Sequence, residues 1–122
     1  MSKYVDGFVI PIKKKDVKAY LKMAKIGQKF WIKYGALDYY ECVGDDLKVK
    51  WGLPFPELCK LKKDETVIFS FIVYKSKAQR DKINKKVLNH PDLKASMDGI
   101  KMPFDIKRFS MGGFKAIVLG NI

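Results

Sequence analysis

The nine residues TVIFSFIVY at positions 66–74 constrain the possible folds of this chain more than any other stretch does. β-Branched and aromatic side chains predominate in this run, so it predicts a β-strand. Successive side chains of a strand point to opposite faces of the sheet, and both faces of this strand are mostly apolar. A sheet covered on one side only would show a cleaner alternation of apolar and polar residues. The rest of the chain, or a partner, must therefore cover each face of this strand.

Size and composition indicate a globular protein. The length of 122 residues is that of a single domain, which we expect to span residues 1–122. No apolar run reaches the roughly 20 residues needed to cross a bilayer. An acid and a glycine interrupt the N-terminus before it forms the apolar core of a secretion signal. We therefore expect a cytoplasmic protein without a membrane partner, in which Cys42 and Cys59 are free thiols and Cys42 is a small buried residue.

The other elements follow from apolar periodicity and from turn residues. Strands are predicted at about 4–12, 37–45 and 107–119, helices at about 15–34 and 76–89, and a short helical turn, capped by its first residue, at 92–97. Ser76 and Gln79 have the spacing of a capping box, and Gly35 is placed to end the first helix in the left-handed conformation. Gly112-Gly113 predicts a bulge in the last strand. The apolar connection at 46–63 is predicted to fold over the sheet edge or to pack on a partner.

The order of these elements is β-α-β-β-α-β, which is the order of ferredoxin-like α+β domains. It places both helices on one face of a four-stranded antiparallel sheet, with the first and third strands in the centre. The other face would then expose Phe, Val or Ile side chains, and an apolar patch of that size is unusual on a soluble monomer. A second copy of the chain and a stacking ligand such as RNA are the two simplest ways to cover it.

Six segments of the chain resemble the YbaA-like family of small, uncharacterised bacterial proteins. They lie at 4–9 (YVDGFV), 35–46 (GAL-x-Y-x-ECVGDD), 64–67 (DETV), 75–78 (KSKA), 102–108 (MPFD-x-KR) and 112–114 (GGF). The resemblance runs through essentially the whole chain in the same order. The chain departs from the family at Gln79, where many members have His, and in its ending Gly120-Asn121-Ile122.

The resemblance implies a dimeric α+β barrel, in which two ferredoxin-like sheets pack face to face. That arrangement agrees with the two apolar faces of the strand at 66–74. Candidate residues of the dimer interface are Phe69, Phe71, Trp51 and Phe55. The family has no established biochemical function, so the resemblance assigns no reaction, no cofactor and no catalytic residue. Whether the chain is an enzyme is left open.

Acidic side chains among aromatic ones mark a candidate ligand site. Glu41 and Asp45 are four residues apart and are predicted to share one strand face. Pairing with lysines and turn formation are the structural alternatives to a ligand pocket or a weak divalent-cation site there. Asp6 lies on a mostly apolar strand face and requires a partner, so pairing with Arg108 or Lys107 competes with a role in binding. The candidate ligand-binding residues are Asp6, Trp31, Tyr39, Glu41, Asp45 and Arg108.

The sequence predicts neither a metal centre nor a cofactor. His90 is the single histidine, so a cluster of histidine ligands is excluded. It precedes Pro91 at a predicted helix end, where a structural role is favoured over catalysis. The glycine pair at 112–113 lacks the strand-to-helix context of a phosphate-binding loop.

The formal net charge of +12 attracts polyanions without specificity. The positive charge is mostly scattered lysine, which favours a soluble basic surface over a dedicated nucleic-acid site. We predict a homodimer with a small-molecule cleft between helices and sheet, enzymatic or ligand-sensing. One alternative is an RNA-binding module, because RNA-recognition motifs share the element order and Phe69 and Phe71 resemble stacking positions. Asp64-Glu65 beside them would repel phosphate. The other alternative is a non-catalytic protein-interaction dimer.

Overall fold

The computed structural model describes residues 3–120. Its elements in chain order are β1 (Tyr4–Lys13), α1 (Val17–Lys33), β2 (Asp38–Val43), α2 (Phe55–Leu58), β3 (Glu65–Tyr74), α3 (Lys77–Leu88), α4 (Pro91–Met97) and β4 (Ser110–Lys115), with a 3-10 turn before α1 and another before β4. Met1, Ser2, Asn121 and Ile122, which belong to the two chain ends considered above, lie outside the described residues. None of the helices within 3–120 combines the length and the apolar character that crossing a bilayer requires.

The four strands form one antiparallel sheet in the order β2-β3-β1-β4. β1 and β3 pair along their whole length, from Tyr4 opposite Tyr74 to Lys13 opposite Glu65. This order confirms the ferredoxin-like α+β fold, with the first and third strands in the centre. The apolar β3 takes a central position because both of its edges are then hydrogen-bonded and its side chains are removed from water.

Helices α1, α3 and α4 cover one face of the sheet. The side chains of Ile72 and Tyr74 on this face are at most 5% exposed, and they pack with Ile83 and Val87 of α3 in one core cluster. A second cluster joins the N-terminal half of α1 to β1 and β3. α1 buries Tyr20, Ala24 and Gly27, which recur at i, i+4 and i+7 and so form one stripe of the helix. The lysines of α1 take the opposite side.

The opposite face of the sheet carries aromatic residues that the described chain leaves exposed. Tyr40, Phe69 and Phe114 on this face are 52%, 46% and 60% exposed. The ring of Tyr40 stacks on that of Phe71, with centroids 5.0 Å apart. These four residues define what we call the open sheet face. Cys42 lies opposite Phe69 and is exposed here, so the prediction that it is buried is wrong. Its side chain points away from the helices.

The last strand is shorter than predicted, and its register with β1 continues through the glycine pair without a bulge. Gly113 lies opposite Asp6 in that register. A Cβ on Gly113 would collide with the ring of Tyr4, and a Cβ on Gly7 would lie 3.3 Å from a ring carbon of Phe114. Close approach of aromatic side chains, rather than an extra residue in the strand, therefore explains the glycines.

The predicted cap at Ser76 is confirmed, but the return hydrogen bond to Gln79 comes from Lys75, one residue before the cap, instead of from Ser76. Ser76 Oγ accepts a hydrogen bond of 3.1 Å from the backbone N–H of Gln79, and Gln79 Oε1 accepts one of 2.6 Å from the backbone N–H of Lys75. Gln79, the position at which the chain departs from the family pattern, therefore has a structural hydrogen bond. Gly35, with φ of 112°, ends α1 in the positive-φ conformation that was predicted for it.

His90 begins α4 and packs against α1. Its Nδ1 accepts a hydrogen bond of 3.0 Å from the backbone N–H of Asp92. The N-cap of α4 is therefore His90, and the prediction that Asp92 caps this helix is wrong. The imidazole also lies edge-on to Phe30, with ring centroids 5.2 Å apart. These contacts agree with the structural role predicted for the single histidine.

Candidate functional site

A cavity of about 300 Å³ lies between the helices and the covered face of the sheet. Strand register places two carboxylates in it. Glu41 of β2 lies opposite Ser70 of β3. Two residues along, Tyr39 lies opposite Ile72, which in turn lies opposite Asp6 of β1. Residues opposite each other in a sheet point to the same face, so Asp6 and Glu41 both face the helices.

Apolar side chains form most of the cavity wall. They include Phe8, Ile10, Met23, Phe104, Phe109 and Met111. Phe104 and Phe109 come from the segment between α4 and β4, and their rings stack with centroids 5.6 Å apart. Phe109 also lies 5.9 Å from Phe8 of β1. Phe104 was predicted to lie in a loop and Phe109 in the last strand, and the structure places both before β4, where they form an aromatic side of the cavity.

Glu41 accepts hydrogen bonds from two phenols. The hydroxyl of Tyr20 on α1 donates to Oε1 at 2.7 Å, and that of Tyr39 donates to Oε2 at 2.8 Å. Burial raises the pKa of Tyr20 far above its ordinary value, and the hydrogen bond to Glu41 adds to the shift. Burial and the charge of Glu41 raise the pKa of Tyr39 in the same direction. Both phenols therefore remain protonated hydrogen-bond donors at neutral pH.

Asp6 is 2% exposed and lies beside Arg80 of α3. Arg80 Nη1 lies 3.3 Å from Asp6 Oδ1, which is an ion-pair distance. Asn84 Nδ2 lies 3.5 Å from the other carboxylate oxygen, Oδ2. A buried carboxylate is costly unless it is paired, and the guanidinium supplies the opposite charge. Nevertheless, no donor within residues 3–120 is aligned for a hydrogen bond to Asp6 Oδ1.

Asn84 connects the aromatic wall to Asp6. Its Oδ1 accepts a hydrogen bond of 2.9 Å from the indole N–H of Trp31 and one of 3.1 Å from the hydroxyl of Tyr74. Burial, with the charge of Asp6, raises the pKa of Tyr74, so this phenol also stays a donor at neutral pH. The amide nitrogen of Asn84 is directed towards Asp6, which fixes the orientation of the side chain.

The structure brings together four of the six candidate ligand residues. Asp6, Trp31, Tyr39 and Glu41 line the cavity. Asp45 lies beyond the end of β2, in a separate surface depression that also contains Asp46 and several lysines. Because β2 ends at Val43, Glu41 and Asp45 do not share a strand face, and that prediction is wrong. Nowhere in the described part of the chain do three or more His, Cys, Asp or Glu side chains cluster as a metal site would require.

Arg108 lies outside the cavity and fastens three chain segments together. Its Nη1 and Nη2 donate to the two carboxylate oxygens of Glu65 at 2.6 and 3.0 Å. Nη2 also donates to the backbone carbonyls of Cys59 and Lys60 at 3.1 and 3.2 Å. The predicted pairing of Asp6 with Arg108 or Lys107 is wrong, because Arg80 occupies the position beside Asp6 and Arg108 is bound to Glu65.

The ion pair of Glu65 with Arg108 predicts a pH-dependent contribution to stability. The hydrogen bonds from Arg108 are the main cause that lowers the pKa of Glu65 from 4.5 to about 2. A carboxylate with a lowered folded-state pKa stabilises the folded protein above its unfolded-state pKa, and this contribution is lost as the pH falls towards the folded-state pKa. The Tm difference between wild type and Arg108→Met should therefore be large at about pH 6 and shrink between about pH 4.5 and pH 2.

Lys107→Met is the matched control, since it removes a neighbouring exposed cation that makes no ion pair with Glu65. We expect its Tm to follow that of wild type across the same pH range. A Tm difference for Arg108→Met that is as large at about pH 2.5 as at about pH 6 would show that Glu65 does not mediate the effect.

Three residues that hold Asp6 and Glu41 in place were not predicted as site residues: Tyr20 and Asn84, which line the cavity, and Arg80, which pairs with Asp6. Arg80 and Asn84 lie on α3, where the many lysines indicate a solvent-facing helix. One signal for Arg80 was present in the sequence, because a buried Asp6 requires a cation and Arg80 and Arg108 are the chain's two arginines. The signal for Tyr20 was its place on the apolar stripe of α1. We find no comparable signal for Asn84.

Comparison with known proteins gives a family and close relatives. The family described as "Protein of unknown function (DUF1428)" matches residues 3–106. "Uncharacterized protein YbaA" of Escherichia coli K12 is 41% identical over 118 residues, covering 95% of this chain and 97% of the relative. The protein of the same description from Shigella flexneri matches to the same extent.

Among solved structures, a dimeric ferredoxin-like protein from an uncultured marine organism has the same fold. The TM-score is 0.54, with 98% of this chain and 99% of that chain covered. The two sequences are 12% identical. At this identity the likeness supports the ferredoxin-like arrangement of strands and helices and carries no information about ligands.

Proposed function

We propose, from the premise that the chain belongs to the DUF1428 family of proteins of unknown function, that it forms a homodimer and binds a small, largely apolar molecule in the cavity between helices and sheet. The family description assigns no activity, so the proposal rests on geometry. The observation that carries it is a cavity of about 300 Å³ with aromatic walls and two inward-facing carboxylates.

The cavity resembles a ligand site more than a packing defect. The cavity is partly open to the surface, as a binding cleft is, rather than a sealed void in the core. A core selected for packing alone would also keep carboxylates away from such a volume, because their burial is costly. Here Asp6 and Glu41 both face the cavity, and each is held by hydrogen bonds or an ion pair. The volume lies at the lower end of the range typical of small-molecule sites.

The open sheet face is the proposed contact between the two subunits. Its aromatic residues are of the type that is enriched at protein interfaces, and the solved structure of similar fold is described as dimeric. Phe55 of α2 borders the same face, in a groove shared with Cys42 and Phe69. Trp51, in the preceding connection, is 86% exposed. We propose that both extend the interface at its rim, as the sequence predicted.

Ligand binding can be followed through Trp31, which lines the cavity. The chain has two tryptophans, so Trp51→Phe leaves Trp31 as the one indole fluorophore. In this background we expect 2-phenylethanol, a neutral probe with one aromatic ring, to change the Trp31 emission saturably. Ser70→Leu adds apolar atoms inside the cavity, and we expect it to abolish that response.

Ser96→Leu, an equivalent change at an exposed position of α4, is the control and should bind as the background does. Thermal melts of all variants establish that each is folded. Unchanged binding in folded Ser70→Leu would place the ligand elsewhere. The absence of a saturable response to any neutral aromatic probe would contradict the proposed function.

A further inference from the structure

We infer that the cavity selects a molecule with a protonated amine at one end of an apolar body, and that the carboxylate of Asp6 binds this amine. The inference rests on the proposed function, because it names the class of ligand for the same cavity. Most hydrogen-bond donors of the cavity wall already have partners within the protein, whereas some of the acceptors do not.

The aromatic donors of the wall are used within the protein. The hydroxyls of Tyr20 and Tyr39 donate to Glu41, while the indole of Trp31 and the hydroxyl of Tyr74 donate to Asn84. Each of these groups has one hydrogen to give. A ligand that presents a carboxylate or a phosphate would therefore have to break one of these hydrogen bonds to obtain a partner.

Ser70 and Asn84 supply the remaining donors of the wall. The Ser70 hydroxyl lies beside the hydroxyl of Tyr20 and influences its pKa. The amide N–H of Asn84 is directed towards Asp6 Oδ2. Neither group carries a formal charge, so neither would compensate the burial of an anionic ligand.

The acceptors of the wall, in contrast, can still accept further hydrogen bonds. Asp6 Oδ1 is buried and has no aligned donor within residues 3–120. The nearest cation is Arg80 Nη1 at 3.3 Å, and Arg80 also contacts Asp81 through Nε at 3.0 Å. Each oxygen of Glu41 accepts one phenol hydrogen, which leaves further lone-pair sites. A ligand with several N–H groups on one head fits this set of acceptors.

The charges favour a cation over a neutral head. The carboxylates of Asp6 and Glu41 face the cavity, and the one guanidinium beside them, that of Arg80, is shared with Asp81. One positive charge on the ligand would balance the negative charge that remains. No lysine or arginine is among the described residues that line the cavity. The protein's net positive charge therefore acts on the ligand mainly from a distance, where salt screens it.

The volume limits the body of the ligand. A cavity of about 300 Å³ is at the lower end of the range for small-molecule sites and admits only a small ligand. One aromatic ring with a short chain is of that order. The stacked rings of Phe104 and Phe109 offer apolar surface to such a body.

Three probes that share a phenyl ring and a short chain test the head group: 2-phenylethylamine, 2-phenylethanol and 3-phenylpropanoate. Affinities are measured by Trp31 fluorescence in the Trp51→Phe background near neutral pH. We expect the amine to bind about tenfold or more tightly than the carboxylate. Asp6→Asn should weaken amine binding by about ten- to a hundredfold, because a charge-assisted hydrogen bond is lost. The alcohol should bind with little change.

Asp81→Asn is the matched control, since it makes the same substitution at an exposed aspartate on the other side of Arg80. We expect it to keep the preference for the amine. If Asp6→Asn does not fold, the double variant Asp6→Asn, Arg80→Met replaces it, because it removes the carboxylate without leaving the guanidinium unpaired, and there the same loss of amine preference is expected.

The outcomes separate the two proposals. If the alcohol binds and the amine binds no more tightly than the carboxylate, the inference is wrong and the proposed function stands. An amine preference that survives in folded Asp6→Asn, or in the double variant where that is used, also overturns the assignment. If none of the three probes binds, the proposed function fails, and the inference fails with it.

Discussion

Phe69→Lys is expected to convert the proposed homodimer into a monomer. Phe69 lies on the central strand β3, within the open sheet face, and is 46% exposed in the single chain. A second copy packed on this face would enclose the new ammonium among aromatic rings without a partner. Burial of an unpaired charge costs several kcal/mol, so the dissociation constant should rise by about a hundredfold or more.

The molar mass from light scattering shows whether each variant is a dimer or a monomer. Wild type should show about twice 14.1 kDa at moderate salt, and Phe69→Lys should show 14.1 kDa. Ile32→Lys is the matched control, because Ile32 is 40% exposed but lies on α1, on the other side of the sheet. It should remain a dimer. Thermal melts of both variants show that any loss of mass is not a loss of fold.

A monomeric wild type would contradict the dimer proposal. The aromatic open sheet face would then need another cover, and single-stranded RNA at low salt would be the next ligand to test there. A Phe69→Lys variant that remains dimeric would also contradict it, because the subunits would then meet through a different surface.

Arg80→Met should cost about 3–5 kcal/mol of the free energy of unfolding, because it leaves the carboxylate of Asp6 buried without its cation. The ammonium of a lysine cannot replace it, since the lysines of α3 are exposed to solvent. For a domain of this size the change corresponds to a Tm lower by roughly 10–20 °C. Urea denaturation with a fitted slope gives the free energy directly.

The double variant Asp6→Asn, Arg80→Met tests whether the unpaired charge of Asp6 causes the loss of stability. Removing the buried carboxylate in the Arg80→Met background should recover part of the loss, so the two substitutions should not be additive. Lys82→Met, an exposed cation on the same helix, should change stability little. A loss below about 1 kcal/mol in Arg80→Met would show that the pair contributes no more than a surface ion pair.

The two sets of variants act on opposite faces of the sheet and should be separable. Phe69 lies on the open sheet face, whereas Asp6 faces the cavity and the helices. If the cavity is complete within one chain, monomeric Phe69→Lys should still bind the neutral probe. A loss of binding that follows the loss of the dimer would indicate that the partner subunit contributes to the site.

The sequence by itself determined the elements and their order. Local periodicity located β3, its central position followed from its apolar composition, and Ser76 and Gln79 marked the start of α3. The element order then led to the ferredoxin-like fold. These inferences succeeded because strand alternation, capping and chain connectivity depend on residues that are near each other in sequence.

Only the tertiary structure decided which face of each strand meets the helices. It placed Glu41 and Tyr39 in the cavity and left Cys42, between Glu41 and the end of β2, on the open sheet face. It also paired Asp6 with Arg80 rather than with Arg108. The physical reason is that strand alternation separates the two faces without saying which is covered. Charge pairing names the kind of partner a buried acid needs, and packing across the sheet selects which residue reaches it.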